Sequence, residues 1–305
     1  MAEVEAGTSL VKHPVPYAPA PWKTKSECYW LFVTLRKLPA GVYDALEAGL
    51  EKDTGEFKGG LGVIMVVRYA NTPVGTYDEL ILIPGNYAVP QPSASGPPKI
   101  PKKALRITRI YVSQRTTAYN GRVNWNIPKH LARFSFSAPP TPAGSSPPES
   151  LTVKVFAPST ADGDGAQPFF SVTLKPWRWV PPIAFSSKWL PVSTTQAQPP
   201  IPAAPGFGLQ AAGVEREATE RDSYDINPSF QDELLAGTDR WCSFPIESYV
   251  PRARGCWVTL HEPGKDEDVI KEASKYWPQD VQPWGIGAWC EDAELNIPAP
   301  IEWKL

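Results

Sequence analysis

Lys129 follows a proline and precedes a histidine in "NWNIPKHLARF" (124–134), a stretch that is otherwise mostly apolar or amide-bearing. A lysine in water has a pKa of about 10.4, so at pH 7 only about one in 2,500 is a free amine. Making it mostly neutral takes more than about 4.5 kcal/mol. Two means are open: removing water and placing a positive charge nearby. Trp125 and Ile127 could exclude water, and His130, Arg122 and Arg133 could supply charge. Pro128 limits the backbone just ahead of the amine. A neutral lysine attacks a ketone to give an imine. Once protonated, the iminium draws electrons, so a carboxylate β to it can leave as carbon dioxide, and the same sink serves aldol and dehydration steps. The bland reading, which composition alone favours, is a strand-edge lysine with its amine in water.

Further candidates surround it. Glu79, in "GTYDE" (75–79), could act as general acid and base or face a cation in a pocket; a solvated strand-edge carboxylate is equally consistent. Tyr77 reads as a core residue with its hydroxyl tied to a partner. Asn124 and Asn126 are two apart, so on a strand they would share a face and could hydrogen-bond a ligand; turn formation explains them as well. His130 would face away from Lys129 on a strand, which favours a structural role. Arg109 and Arg122 could supply a positive field or bind a substrate carboxylate, with ion pairing as the default. No metal site is expected: Cys28, Cys242, Cys256 and Cys290 form no CxxC pair and read as reduced core thiols. "HEP" (261–263) lacks the second histidine of a zinc motif. "GGLG" (59–62) lacks the glycine pattern of a dinucleotide site.

The elements that must hold these residues read mainly as β. "ECYWLFVTLRKL" (27–38), "GGLGVIMVVRYANTPVG" (59–75), "TYDELILIPGNYAV" (76–89), "ALRITRIYVSQ" (104–114), "LARFSFSA" (131–138), "LTVKVFAP" (151–158) and "PFFSVTLKP" (168–176) have strand composition, as do segments of the tail at 255–263 and 285–305. Residues 39–53 carry Val42, Leu46 and Leu50 near helical spacing and predict one short helix. A loop is predicted through Asn120-Gly121. Proline accounts for 36 of 305 residues, against a usual share of about 5 %, so long helices are excluded and extended loops expected. The expected fold class is mainly β: an antiparallel curved sheet, cone or barrel enclosing a pocket, with a few short helices and long Pro-rich loops. Residues 1–25 are expected to be an extended arm. Residues 26–305 are expected to form one domain with Pro-rich insertions around 139–150 and 193–240.

The net charge of −2 argues against a nucleic-acid partner. With no apolar signal core and no run of 18 apolar residues, no membrane association is expected and a cytoplasmic location is.

"GTYDE" and "GRVNWNIPK" (121–129) together resemble the signatures of the acetoacetate decarboxylase superfamily. There a Gly-x-Tyr-x-Glu stretch precedes a Gly-Arg-Glu…Pro-Lys-Lys stretch, and the lysine after proline forms a Schiff base. The resemblance covers roughly 60–134, and the Pro-rich insertions point to the fungal branch. It implies a β-cone or barrel, a cofactor-free lyase, a small-molecule keto substrate and a homo-oligomer. By position, Lys129 matches the imine-forming lysine, Glu79 the pocket glutamate with Tyr77 beside it, and Gly121 and Arg122 the Gly-Arg pair. The departures are substantial. His130 stands in place of a second lysine, Val123 replaces the acid after Gly-Arg, and Ile64 falls where a second pocket glutamate would be. A substrate-side arginine near the N-terminus has no counterpart. Decarboxylation of a β-keto acid is therefore the nearest expectation. Aldol, dehydration or cyclisation chemistry of secondary metabolism and a non-catalytic barrel for an apolar metabolite are the alternatives.

Overall fold

Strand formation follows the apolar alternation closely. In the computed structural model, which describes residues 15–92, 99–205, 224–226 and 234–305, β1 is Trp22–Leu35, β2 Phe57–Asn71, β3 Tyr77–Ile83, β4 Asn86–Ala88, β5 Lys103–Leu105 and β6 Arg109–Val112. Then come β7 Lys129–Leu131, β8 Arg133–Phe136, β9 Leu151–Phe156, β10 Phe170–Pro176, β11 Ile183–Ser186 and β12 Thr195–Gln198. The chain ends with β13 Trp241–Pro245, β14 Glu247–His261, β15 Ile286–Ile297 and β16 Ile301–Trp303. Helices α1 (Leu50–Asp53), α2 (Arg115–Trp125) and α3 (Glu267–Tyr276) complete these elements, with a 3₁₀ turn at Ser187–Trp189.

One large curved sheet runs β16-β13-β12-β5-β4-β2-β1-β15-β14-β10-β9-β8, with β3, β6 and β7 branching from β2 and β11 lying on β14. Its two end strands do not pair, so the sheet is not closed into a barrel. Pairing is antiparallel except at β5–β12 and β6–β7, which are parallel. Successive residues of β2 separate two cores. Met65, Val67 and Tyr69 join one layer with Tyr77, Ile81, Ile110 and Trp125, while Ile64 and Val66 join the other with Leu80, Leu82 and Tyr111. The position where a second pocket glutamate was sought, Ile64, thus faces the opposite layer from Glu79's neighbours.

Three expectations differ from the structure. The helix over 39–53 shrinks to α1, because Pro39, Gly41 and Gly49 break the run and the Asp44 carboxylate turns back to accept the Leu46 N–H at 3.3 Å. The single strand at 104–114 divides into β5 and β6 around Arg106, whose buried guanidinium donates to Thr54 Oγ1 at 2.6 Å and Thr54 O at 2.6 Å. The loop expected through Asn120-Gly121 is α2, discussed below. Of the expected arm, residues 1–14 lie outside the described residues, as do 206–223 and 227–233 of the insertion at 193–240. Residues 139–150 carry neither helix nor strand. No helix among the described residues is long and apolar enough to cross a membrane.

Candidate active site

Lys129 owes its place to a crossover. Strands β6 and β7 are parallel, and parallel neighbours need a connection of a dozen or so residues. Helix α2 supplies it, although "RTTAYNGRVNW" is rich in weak helix formers, with Thr, Asn, Gly and Val among them. Tertiary burial compensates: nine of its eleven residues are buried, and the Gln114 side chain caps it by accepting the Thr117 N–H at 3.1 Å. The helix ends on Asn126 at φ 55°, a left-handed position that asparagine tolerates. The Asn126 N–H returns to Arg122 O at 3.0 Å. The Lys129 N–H reaches back over Pro128 to Ile127 O at 2.7 Å, which turns the chain sharply into β7.

The register then sets the chemistry. Ile110 on β6 lies opposite Lys129, and Val112 opposite Glu79 on β3. Lysine and glutamate therefore flank β6 on one face and meet over Ile110. Lys129 Nζ is 2.7 Å from Glu79 Oε2, and the two side chains are 5 % and 4 % exposed. The ammonium also donates to Thr117 Oγ1 at 2.9 Å and sits 5.1 Å from the Tyr77 ring centroid. Tyr69 donates to Glu79 Oε1 at 3.2 Å, and its ring packs on Tyr77 with centroids 4.4 Å apart. Burial, and then the charge of Glu79, holds the Tyr69 and Tyr77 phenols well above their ordinary range, so both stay protonated donors. Glu79 Oε2 has no well-aligned hydrogen bond beyond its close approach to Lys129.

Gly121 makes room for this arrangement. A Cβ there would lie 2.6 Å from Lys129 Cδ and 2.7 Å from Cε. The pair opens onto a chamber of about 30 Å³, walled by Trp22, Met65, Ile107, Trp125, Ile127 and Ile297 among others. That is space for about one water. Met65, Ile246 and Leu295 are shared with a second, wider cavity of about 500 Å³.

The opposite face of β7 carries a different cluster. His130 Nε2 is 2.8 Å from Glu47 Oε2, and Arg122 Nη1 donates to Glu47 Oε1 at 2.8 Å. Arg122 completes its bonding with Ala236 O at 2.9 Å and Pro202 O at 2.7 Å. Burial pushes the Glu47 carboxyl up, but His130 and then Arg122 outweigh it, and the group lies below its ordinary value. Asp44, Glu47 and His130 bring one ligand atom each within 4.8 Å of one another. Arg122 on Glu47, and Arg109 at 3.7 Å from Asp44, already neutralise those carboxylates, which leaves little charge to hold a cation.

The expected site residues therefore divide. Lys129, Glu79, Tyr77 and Trp125 meet at the chamber; Trp125 anchors its indole N–H on Pro298 O at 2.8 Å. Arg109 does not join them: it serves the carbonyls of Tyr43, Lys275 and Tyr276 and the Tyr111 hydroxyl. Arg122 is bound to Glu47. Asn124 and Asn126 do not share a strand face, since one is helical and the other is the cap. Asn124 donates to Ala18 O at 2.8 Å and accepts from the Tyr17 hydroxyl at 2.9 Å; Asn126 donates to Pro199 O at 2.9 Å and to Arg240 O. Sequence reasoning missed Thr117, Tyr69 and Met65. The last two alternate with Val67 along β2 and are findable by placing that strand beside "GTYDE"; Thr117 carries no signal with a loop expected through Asn120-Gly121.

No model of a protein family matches the chain, and no curated protein does either. Solved structures do resemble it. One, from structural studies of acetoacetate decarboxylase, aligns over 98 % of this chain and 95 % of its own length with a TM-score of 0.53 at 11 % identity. Acetoacetate decarboxylase from Legionella pneumophila aligns over 94 % and 88 %, with a TM-score of 0.48 and 10 % identity. The enduracididine biosynthesis enzyme MppR, complexed with the condensation product of pyruvate and imidazole 4-carboxaldehyde, aligns over 93 % and 90 %, at 0.46 and 12 %. The first of these likenesses shows that the chain has the acetoacetate decarboxylase fold.

Proposed function

We propose that the protein is an enzyme of lyase type that joins Lys129 to a small-molecule keto substrate as a Schiff base, with Glu79 moving the protons. The observation that carries this reading is the buried amine itself. It stands 2.7 Å from a carboxylate and 2.9 Å from a hydroxyl, at the wall of an otherwise apolar chamber. In such a chamber both charges lose their hydration, and a proton passing from Lys129 to Glu79 neutralises the two at once.

The free amine adds to the ketone carbon. The carbinolamine loses water, its departing oxygen protonated by Glu79, to give the iminium. With a β-keto acid, the bond to the carboxyl carbon breaks, its electron pair runs to the iminium nitrogen, and carbon dioxide leaves an enamine. Glu79, left ionised by the dehydration, takes a proton from solvent and delivers it to the enamine carbon, which restores an iminium; water from solvent then adds and releases the product ketone and the free amine, and the proton set free returns to Glu79. Thr117 Oγ fixes the amine, and the Tyr69 hydroxyl orients the carboxylate of Glu79.

A second reading rests on one specific observation. Among the described residues lining the chamber, Lys129 is the only basic one, so nothing there pairs with a substrate carboxylate. That favours imine chemistry on an uncharged ketone: aldol condensation or dehydration through the same enamine. Borohydride reduction in the presence of a ketone tests both. A mass increase located on Lys129, absent without ketone, is the expected result. Lack of any adduct across keto compounds, with activity retained in Lys129→Ala, rejects the Schiff base and leaves a non-covalent apolar-metabolite barrel. Carbon dioxide release from a β-keto acid then separates decarboxylation from the other imine reactions.

A further inference from the structure

The wide cavity of about 500 Å³ has a composition that the lysine chamber does not require. Its walls include Trp30, Phe32, Val63, Ile83 and Leu105, and it meets the chamber at Met65, Ile246 and Leu295. No carboxylate lines it, and Lys103 is its one charged residue among those described. A small keto acid would leave most of this apolar surface in water, whereas the volume falls within the ~300–1,000 Å³ of sites that take drug-sized ligands.

Two polar atoms in this wall have no partner. Gln196 is 2 % exposed; its Nε2 donates to Thr194 O at 3.2 Å, but its Oε1 accepts nothing. The indole N–H of Trp30 is likewise buried and without an acceptor. Both atoms are sealed beneath the cavity surface, so they belong to the interior of the wall, and what a ligand meets in the cavity is mainly apolar.

We infer that the substrate is an extended apolar ketone or β-keto acid. Its chain or ring system fills the wide cavity, and its carbonyl passes between Met65, Ile246 and Leu295 to Lys129. This rests on the Schiff-base reading for the reacting end alone; the cavity's preference for long apolar chains stands apart from it.

The test uses the full chain and two sets of probes. Butanone, 2-heptanone and 2-undecanone are trapped on the protein with borohydride, and the corresponding alcohols, which form no imine, are titrated by calorimetry. Half-saturation for trapping and the alcohols' dissociation constants are expected to fall by about fourfold for each added methylene until the cavity is full. Val63→Trp, and Thr194→Trp as a second variant in a half-buried wall position, are expected to weaken 2-undecanone at least tenfold more than butanone. Equal trapping of all three ketones, with no binding of 2-undecanol, overturns the inference and leaves the Schiff base intact. Chain-length-dependent binding of the alcohols without trapping of any ketone does the reverse, keeping the cavity as an apolar site and rejecting the imine.

Discussion

Two buried charge clusters lie back to back on the three residues of β7. On one face, Lys129 meets Glu79; on the other, His130 meets Glu47 and Arg122. Burial does not distinguish them, since the side chains of both pairs are at most a few per cent exposed. Satisfaction does. Arg122 spreads its donors over a carboxylate and two backbone carbonyls, and each oxygen of Glu47 has its own partner. Every nitrogen of Arg122 has a partner, whereas Glu79 Oε2 lacks a directed hydrogen bond, and it and Lys129 border open space. A saturated network holds a structure together, whereas spare bonding capacity beside a cavity is what a substrate can use. The difference also disposes of the histidine as an activator of the lysine: His130 is spent on Glu47, across the sheet from the amine.

Breaking the open cluster is expected to cost activity beyond any cost to the fold. Lys129→Ala removes the nucleophile, so borohydride adducts and turnover per folded molecule should fall by roughly 10³-fold or more, alongside a loss of stability because Glu79 stays buried without its counter-ion. A variant that retains turnover would sink the assignment. Glu79→Gln keeps the shape and loses the proton carrier, for an expected drop of about 10²–10⁴-fold in kcat. Should kcat stay put while KM rises, Glu79 positions substrate and does not move protons.

The saturated cluster is expected to respond in the opposite currency. Glu47→Ala leaves Arg122 buried without its counter-ion, at a cost of about 3–5 kcal/mol in unfolding free energy. Trapping per folded molecule should be unchanged, measured by normalising adduct to native protein. Between the two lies Gly121, which belongs to the helix but bounds the lysine. In Gly121→Ala the new methyl must displace Lys129 Cδ and Cε. A stability loss of about 1–3 kcal/mol is expected, together with slower trapping at Lys129. Loss of stability with an unaltered trapping rate would show that the lysine tolerates the shift.

This contrast also explains what the sequence could and could not disclose. Lys129, Glu79, Tyr77 and Trp125 are carried by two short motifs, and the strands that align them alternate legibly, so the sheet and the grouping of these four at one chamber are readable. Helix α2 is not, because Thr116, Thr117, Asn120 and Gly121 are poor helix formers and only burial against the rest of the chain makes the segment helical. Thr117 therefore carries no local signal, and the shared strand face open to Asn124 and Asn126 gives way to a helix position and its cap. Arg109 and Arg122 were open to a substrate role only because their partners are remote: Glu47, Tyr43, Pro202, Ala236 and Tyr276 lie tens to more than a hundred residues away. Helix α3 did carry a local signal, Asp266 capping the Asp268 N–H at 2.9 Å ahead of Glu267 and Asp268, which was passed over among the turn residues before it.

The smallest expected effect is electrostatic and compares Glu47 with Asp78, a half-buried neighbour of Glu79 on β3. Burial, only partly offset by Arg68, raises the Asp78 carboxyl to about 6, whereas Glu47 is held below its ordinary value. The signs oppose. For Glu47 the unfolded chain binds more protons in the acid range. Its contribution is full above an ordinary carboxylate pKa of about 4.3 and is lost as pH falls through the lower folded value. For Asp78 the folded chain holds its proton longer, so stability declines as pH rises from about 4 to about 6. Urea unfolding between pH 3.5 and 7.5 should therefore show Asp78→Asn gaining stability over wild type above pH 6 and Glu47→Gln losing the acid-side slope. If Asp78→Asn tracks the wild-type curve throughout, the aspartate is as well hydrated in the folded protein as in the unfolded chain. In that case the dry interior of the opposite layer, on whose side of β3 Asp78 stands with Leu80 and Leu82, does not extend to this end of the strand.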